Sequence, residues 1–135
     1  MLVSAAVAIA LVGGGCGGSI EVPKRDTQLR QGAEIFNQRC SGCHSLEAAN
    51  AYGSVPAGQL RYSERTNGPN FNVRHEKVND VLFAIRNGGF SGAIMPANVV
   101  VGADAQKVAQ FVCAYAGQKK HPKPPGQCLI PPQLK

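Results

Sequence analysis

Cys40-Ser41-Gly42-Cys43-His44 places two thiols three residues apart and an imidazole directly after the second. C-x-x-C-H is the spacing of covalent c-type haem attachment. On a short helical turn, residues three apart share a face, so both sulfurs can add to neighbouring vinyl edges of a flat macrocycle while His44 rises toward its iron. A haem held in this way takes a second axial ligand, and thioether sulfur is one of the recognised partners of histidine. Apart from the initiator, Met95 is the only methionine in the chain. It stands in Gly92-Ala93-Ile94-Met95-Pro96, where Pro96 stiffens the backbone beside the sulfur. Gly88, Gly89 and Gly92 suit a loop that approaches a flat ligand closely. A methionine in apolar surroundings is more often core filler, but the attachment motif upstream favours the ligand reading. Haem c therefore emerges as the expected cofactor, with Cys40 and Cys43 holding it and His44 and Met95 on the metal.

These residues resemble the class I c-type cytochromes over roughly Thr27 to Gly117. The likeness runs from a helix ending in the Cys-x-x-Cys-His motif, through Asn67-Gly68-Pro69-Asn70-Phe71 and a second helix, to the Met-Pro loop and a closing helix with aromatics. The resemblance implies an all-α, compact fold of about three helices wrapped around one covalent haem. It also implies that the Pro69 carbonyl accepts a hydrogen bond from the free nitrogen of His44, the kind of contact that fixes the tautomer of an iron-bound imidazole. Gly68-Pro69-Asn70 alone is an ordinary turn signal. Residues 45–67 form an insertion longer than compact relatives carry, and there the analogy is weakest.

Periodicity supplies the elements that must position this chemistry. Leu29, Ala33, Phe36, Cys40 and Cys43 step by four and three, which predicts an apolar stripe on a helix running into the motif. Val78, Val81, Leu82 and Ile85 repeat the pattern, and Asn87-Gly88-Gly89 supplies a stop. A third helix is expected from an Asp104 N-cap to Gly117, carrying Val108, Phe111, Val112 and Tyr115. By the family likeness it crosses the first helix, bringing Gly32 and Phe36 against Phe111 and Tyr115. No alternating strand pattern of useful length is visible, and Val99-Val100-Val101 is too short to assign.

At 135 residues, with eight aromatics and no tryptophan, the chain has a thin core for its length. Small domains of this kind are commonly stabilised by a staple or a cofactor. The expected organisation is a signal, lipoprotein or anchor segment over 1–18, a tether over 19–26, the cytochrome domain over 27–117 and a Pro-rich basic tail over 118–135. Residues 1–18 carry no charge and are shorter than the roughly 20 apolar residues of a membrane span. Small residues before Cys16 resemble a bacterial lipoprotein cleavage site, which would make Cys16 the acylated residue. Retention as an anchor and ordinary cleavage remain open, and all three place the domain outside the cytoplasm, tethered to the cell membrane in the first two cases.

Of the five cysteines, Cys113 and Cys128 are left over, and in an oxidising compartment they are expected to form a disulfide tying the tail to the third helix. The alternative is a buried Cys113 and a free Cys128. The tail holds five of the nine prolines and should be extended. Lys and Arg number 14 against 8 Asp and Glu, a net charge of +6. That balance suits steering toward redox partners, a donor and an acceptor, including acidic ones, or toward anionic lipid. Nothing interleaves aromatics with basic residues, which argues against nucleic acid. A zinc module would need a second ligand pair, and Cys113 and Cys128 are too far apart in sequence to supply one. A thioredoxin-like enzyme would set C-x-x-C beside a βαβ pattern, absent here. Met95 favours a single-electron carrier, not an enzyme, over a sensing or catalytic haem with an open iron position; a haem-bearing subunit of a larger oxidoreductase complex is the alternative carrier role. His75 and His121 are rival ligands, each read as a surface histidine.

Overall fold

The structure, a computed structural model, describes residues 18–53, 68–91, 93–118 and 122–130. Cys16, Asn67, Gly92 and His121, the leader and most of the 45–67 insertion lie outside the described residues. Among the described residues three α-helices carry the fold: α1 Thr27–Arg39, α2 Val78–Asn87 and α3 Gly102–Tyr115. The expected stripes are on their inner faces. Ala33 and Phe36 of α1, Val78, Leu82 and Ile85 of α2, and Val108, Phe111, Val112 and Tyr115 of α3 are all buried. α1 and α3 cross where Gly32 removes a side chain; a Cβ there would stand 2.8 Å from the Phe111 Cβ and closer still to the Lys107 carbonyl oxygen. Phe36 packs edge-on against Phe111 and Phe71, with ring centres 5.8 and 6.0 Å apart. Such pairs add about 0.5–1.5 kcal/mol beyond the area they bury. The second half of α3 is buried nearly all round, because α1, α2 and the tail each cover part of it.

The described residues depart from the all-helical expectation in two short antiparallel pairs. Strands β1 Ser45–Leu46 and β2 Ala51–Tyr52 pair across the 3-10 turn Glu47–Ala49, which Asn50 closes in the left-handed conformation at φ 53°. Strands β3 Gly89–Ser91 and β4 Ala93–Met95 form the second pair, with Gly89 opposite Met95. Both are too short for a two-residue alternation to show in sequence. Asp104 is not the cap of α3: Val101 holds that position, and Asp104 sits in the first turn. Its charge complements the helix dipole there, and it pairs with Lys107 at 3.2 Å.

Both flanks are more structured than their composition suggests. Val22, in the segment read as a polar tether, is 1% exposed and belongs to the core. The tail contains a 3-10 turn, Pro125–Cys128, instead of remaining extended throughout. Cys113 and Cys128 are joined in a disulfide that pins this turn to α3, and the Lys123 N–H donates to the Ala114 carbonyl at 2.8 Å. No helix among the described residues is long and apolar enough to cross a membrane.

Candidate functional site

α1 ends one residue before the motif. Cys40 is its C-cap, donating its N–H to the Phe36 carbonyl at 2.8 Å, and the chain then turns tightly. The N–H groups of Cys43 and His44 both donate to the Cys40 carbonyl, at 3.1 and 2.9 Å. Leaving the helix at Arg39 breaks the expected stripe. Cys40 is buried while Cys43 is exposed, so one sulfur sits at the floor of the site and the other at its rim. Burial, with a smaller contribution from Cys43, pushes the Cys40 thiol up to about 12.

His44 is 8% exposed. Its Nδ1 lies 3.1 Å from the Pro69 carbonyl oxygen. A carbonyl can only accept, so Nδ1 carries the proton and Nε2 keeps its lone pair for a metal. Burial holds the His44 pKa below the usual imidazole range; the Pro69 bond works against this and the Arg74 charge with it. The Phe71 ring stacks on the imidazole, 4.9 Å between centres and 12° between planes. Gly68 completes the support: its N–H donates to the Cys43 carbonyl at 2.7 Å, and a Cβ there would meet the His44 Cε1 at 2.7 Å. The Gly-Pro segment therefore fits against the imidazole only without a side chain at residue 68.

Met95 reaches the site from β4. α2 ends at Gly88, whose φ of +78° turns the chain back. A Cβ there would press on the Met95 carbonyl at 2.6 Å, and the Asn98 N–H donates to the Ile85 carbonyl at 2.6 Å. The Met-Pro loop is thus fastened to the C-terminal turn of α2. Cys40, Cys43, His44, Pro69 and Met95 all line one cavity of about 360 Å³, inside the range usual for cofactor sites, about 300–1,000 Å³. Phe36, Phe71, Val81, Ile85, Val108 and Val112 give it apolar walls, and Arg39, Arg74, Glu76 and Asp80 bring charge to it.

His75 and the remaining cysteine pair are also placed. His75 is exposed and absent from the cavity lining; its Nδ1 faces the Ala116 carbonyl at 3.2 Å, at the end of α3. Cys113 and Cys128 are bonded to each other, so neither thiolate is available to a zinc site. The stacking of Phe71 and the nearness of Arg74 to His44 were not foreseen. Phe71 could have been found from its place two residues after Pro69, whereas no spacing marks Arg74. The donor set fits a covalent c-type haem: two thiols three apart, an imidazole with a fixed tautomer and an apolar enclosure for a flat ring, with the Met95 thioether on the same cavity.

Comparison with known proteins agrees with this chemistry. A family model described as cytochrome C oxidase, cbb3-type, subunit III matches residues 27–112. Among solved structures, the c-type cytochrome SorU from Sinorhizobium meliloti is similar, at 30% sequence identity and a TM-score of 0.52, covering 69% of this chain and 95% of that one. No curated protein matches the sequence at a significant level.

Proposed function

Because the chain belongs to the cbb3-type cytochrome c oxidase subunit III family and is a mono-haem c-type cytochrome with one covalently bound haem c, we propose that it is a His/Met-ligated single-electron carrier of an extracytoplasmic redox chain. The observation that carries this reading is the convergence of Cys40, Cys43, His44 and Met95 on one apolar cavity. When bound, the haem supplies a one-electron couple at its iron. Cys40 and Cys43 would hold the ring in place through thioether bonds. His44 presents Nε2, and Pro69 keeps it in that tautomer by accepting from Nδ1. Phe71 and Gly68 prevent the imidazole from tilting. Met95 would offer a soft thioether donor that favours the reduced metal, and apolar side chains wall much of the cavity. With His44 and Met95 both committed to the metal, little would have to move when the charge changes, which suits a carrier.

A second reading, that the chain is a haem-bearing subunit of a terminal oxidase, is favoured by the description of its family. Its chemistry at this site would be the same. The extracytoplasmic, membrane-tethered location is supported by the uncharged residues 1–18 with Cys16 among them, and by the disulfide, which belongs to oxidising compartments. The net charge of +6 favours redox partners with an acidic face. A potentiometric titration of the purified protein tests the function. One wave of about 59 mV per decade is expected for a single electron, with no turnover of substrate; a reduced protein that binds carbon monoxide rapidly would instead indicate an open iron and a sensing or catalytic role.

A further inference from the structure

Residues 18–22 are built into the domain. The Gly18 carbonyl accepts from Asn50 Nδ2 at 3.0 Å, and Gly18 lies directly against the Asn50 side chain. The Glu21 N–H donates to the Ala48 carbonyl at 3.0 Å. Val22 is 1% exposed, and its carbonyl accepts from Arg30 Nη1 at 2.8 Å. The receiving turn is itself fixed, because Asn37 Nδ2 of α1 donates to the carbonyls of Ala49 and Asn50, at 2.9 and 3.0 Å. Only Gly17 separates this docked segment from Cys16. Two residue steps span at most about 7 Å.

We infer that the face formed by Gly18, Ser19 and the exposed Glu47 of the 3-10 turn is apposed to the lipid surface, and that it holds the domain in one orientation on the bilayer. The inference rests on the proposal that residues 1–17 tether the chain to a membrane. Residues 1–17 carry no charged side chain, and Cys16 among them is the proposed acylation site, so the bilayer is the occupant that this composition supplies. The face is not a basic patch: Glu21 and Glu47 are as exposed as Lys24 and Arg25 beside it. Apposition therefore comes from the short leash and not from attraction to anionic lipid. A flexible tether of the same eight residues, 19–26, would let the domain tumble; the docked one does not. The reachable partners are then those whose own redox site stands at a matching height above the membrane.

Linear dichroism of the haem absorption tests this, using full-length holoprotein in aligned phosphatidylcholine multilayers. The comparison is a variant with 20 Gly and Ser residues inserted between Cys16 and Gly18, a linker with an r.m.s. reach of about 25 Å. The wild type should be dichroic, the insertion should reduce the signal at least fivefold, and added phosphatidylglycerol or salt should change neither. Equal dichroism in both proteins, or none in either, overturns the fixed orientation. Vesicle flotation is scored first: wild type that fails to float overturns the tether beneath the inference, whereas floating protein with unchanged dichroism on insertion overturns the orientation alone.

Discussion

Replacing Gly32 by alanine tests whether the crossing of α1 on α3 is as close as the structure has it. An exposed helical Gly→Ala change normally stabilises by about 1 kcal/mol. Here the added methyl would stand 2.8 Å from the Phe111 Cβ and closer to the Lys107 carbonyl oxygen. Carbon contacts are optimal near 3.5–4.0 Å, so the helices must part by about 1 Å. The obstacle is backbone and a Cβ, not the far end of a flexible side chain. Overpacking of this kind costs about 1–3 kcal/mol, and a rigid neighbour puts it at the upper end. A net loss of about 2 kcal/mol remains after the propensity gain, a fall of roughly 8–16 °C in Tm for a domain of this size. Thermal unfolding followed by far-UV circular dichroism reads it, while the haem stays on the polypeptide because Cys40 and Cys43 are untouched. A Tm within 2 °C of wild type, or above it, would refute the close crossing.

Three further changes probe the site and its supports. Cys128→Ser removes the bridge to Cys113, separated by 15 residues; a loop of about that size is worth roughly 3 kcal/mol in the chain-entropy model, so the denaturant midpoint should fall, and an unchanged midpoint would show that the tail does not brace α3. Arg74→Gln removes a positive charge that disfavours the imidazolium of His44. Protonation of His44 then becomes easier, so acid should displace it from the iron at a higher pH than in wild type, read as an upward shift in the midpoint of the Soret titration; a shift downward would contradict the sign. Changing both Cys40 and Cys43 to alanine should release haem during denaturing electrophoresis, and haem retained by that variant would refute thioether attachment there.

Much of this could be read from residue types and spacing, and the remainder has physical reasons for being hidden. Phe36, Leu82 and Phe111 announce themselves because a 3.6-residue period persists over several turns. Cys43 was placed on the same stripe, but the helix stops at Arg39, and past that point the period has no meaning. β3 and β4 are legible only as a glycine-rich loop, since their pairing is imposed by the reversal at Gly88 and the Asn98 bond to α2. Val22 sits among Glu21, Lys24, Arg25 and Asp26, and a single apolar residue in polar company gives no periodic signal; its burial is a tertiary fact created by Arg30 and Ala48. The Pro69 carbonyl opposite His44 came from resemblance, and the 3.1 Å separation places the two groups within hydrogen-bond reach. The nearness of Arg74 had no antecedent in the sequence, because a lone basic residue in a loop looks like any solvated charge.

The central claim, that His44 and Met95 are the two axial ligands, is tested most directly by the optical spectrum of ferric wild-type protein beside Met95→Ala. The wild type should show the weak red charge-transfer absorption of thioether-ligated haem. Met95→Ala should lose that band, have a lower reduction potential, and bind cyanide or carbon monoxide, with covalent attachment intact. An unchanged band and potential in Met95→Ala, with both altered instead by a substitution at His75 or His121, would contradict the assignment.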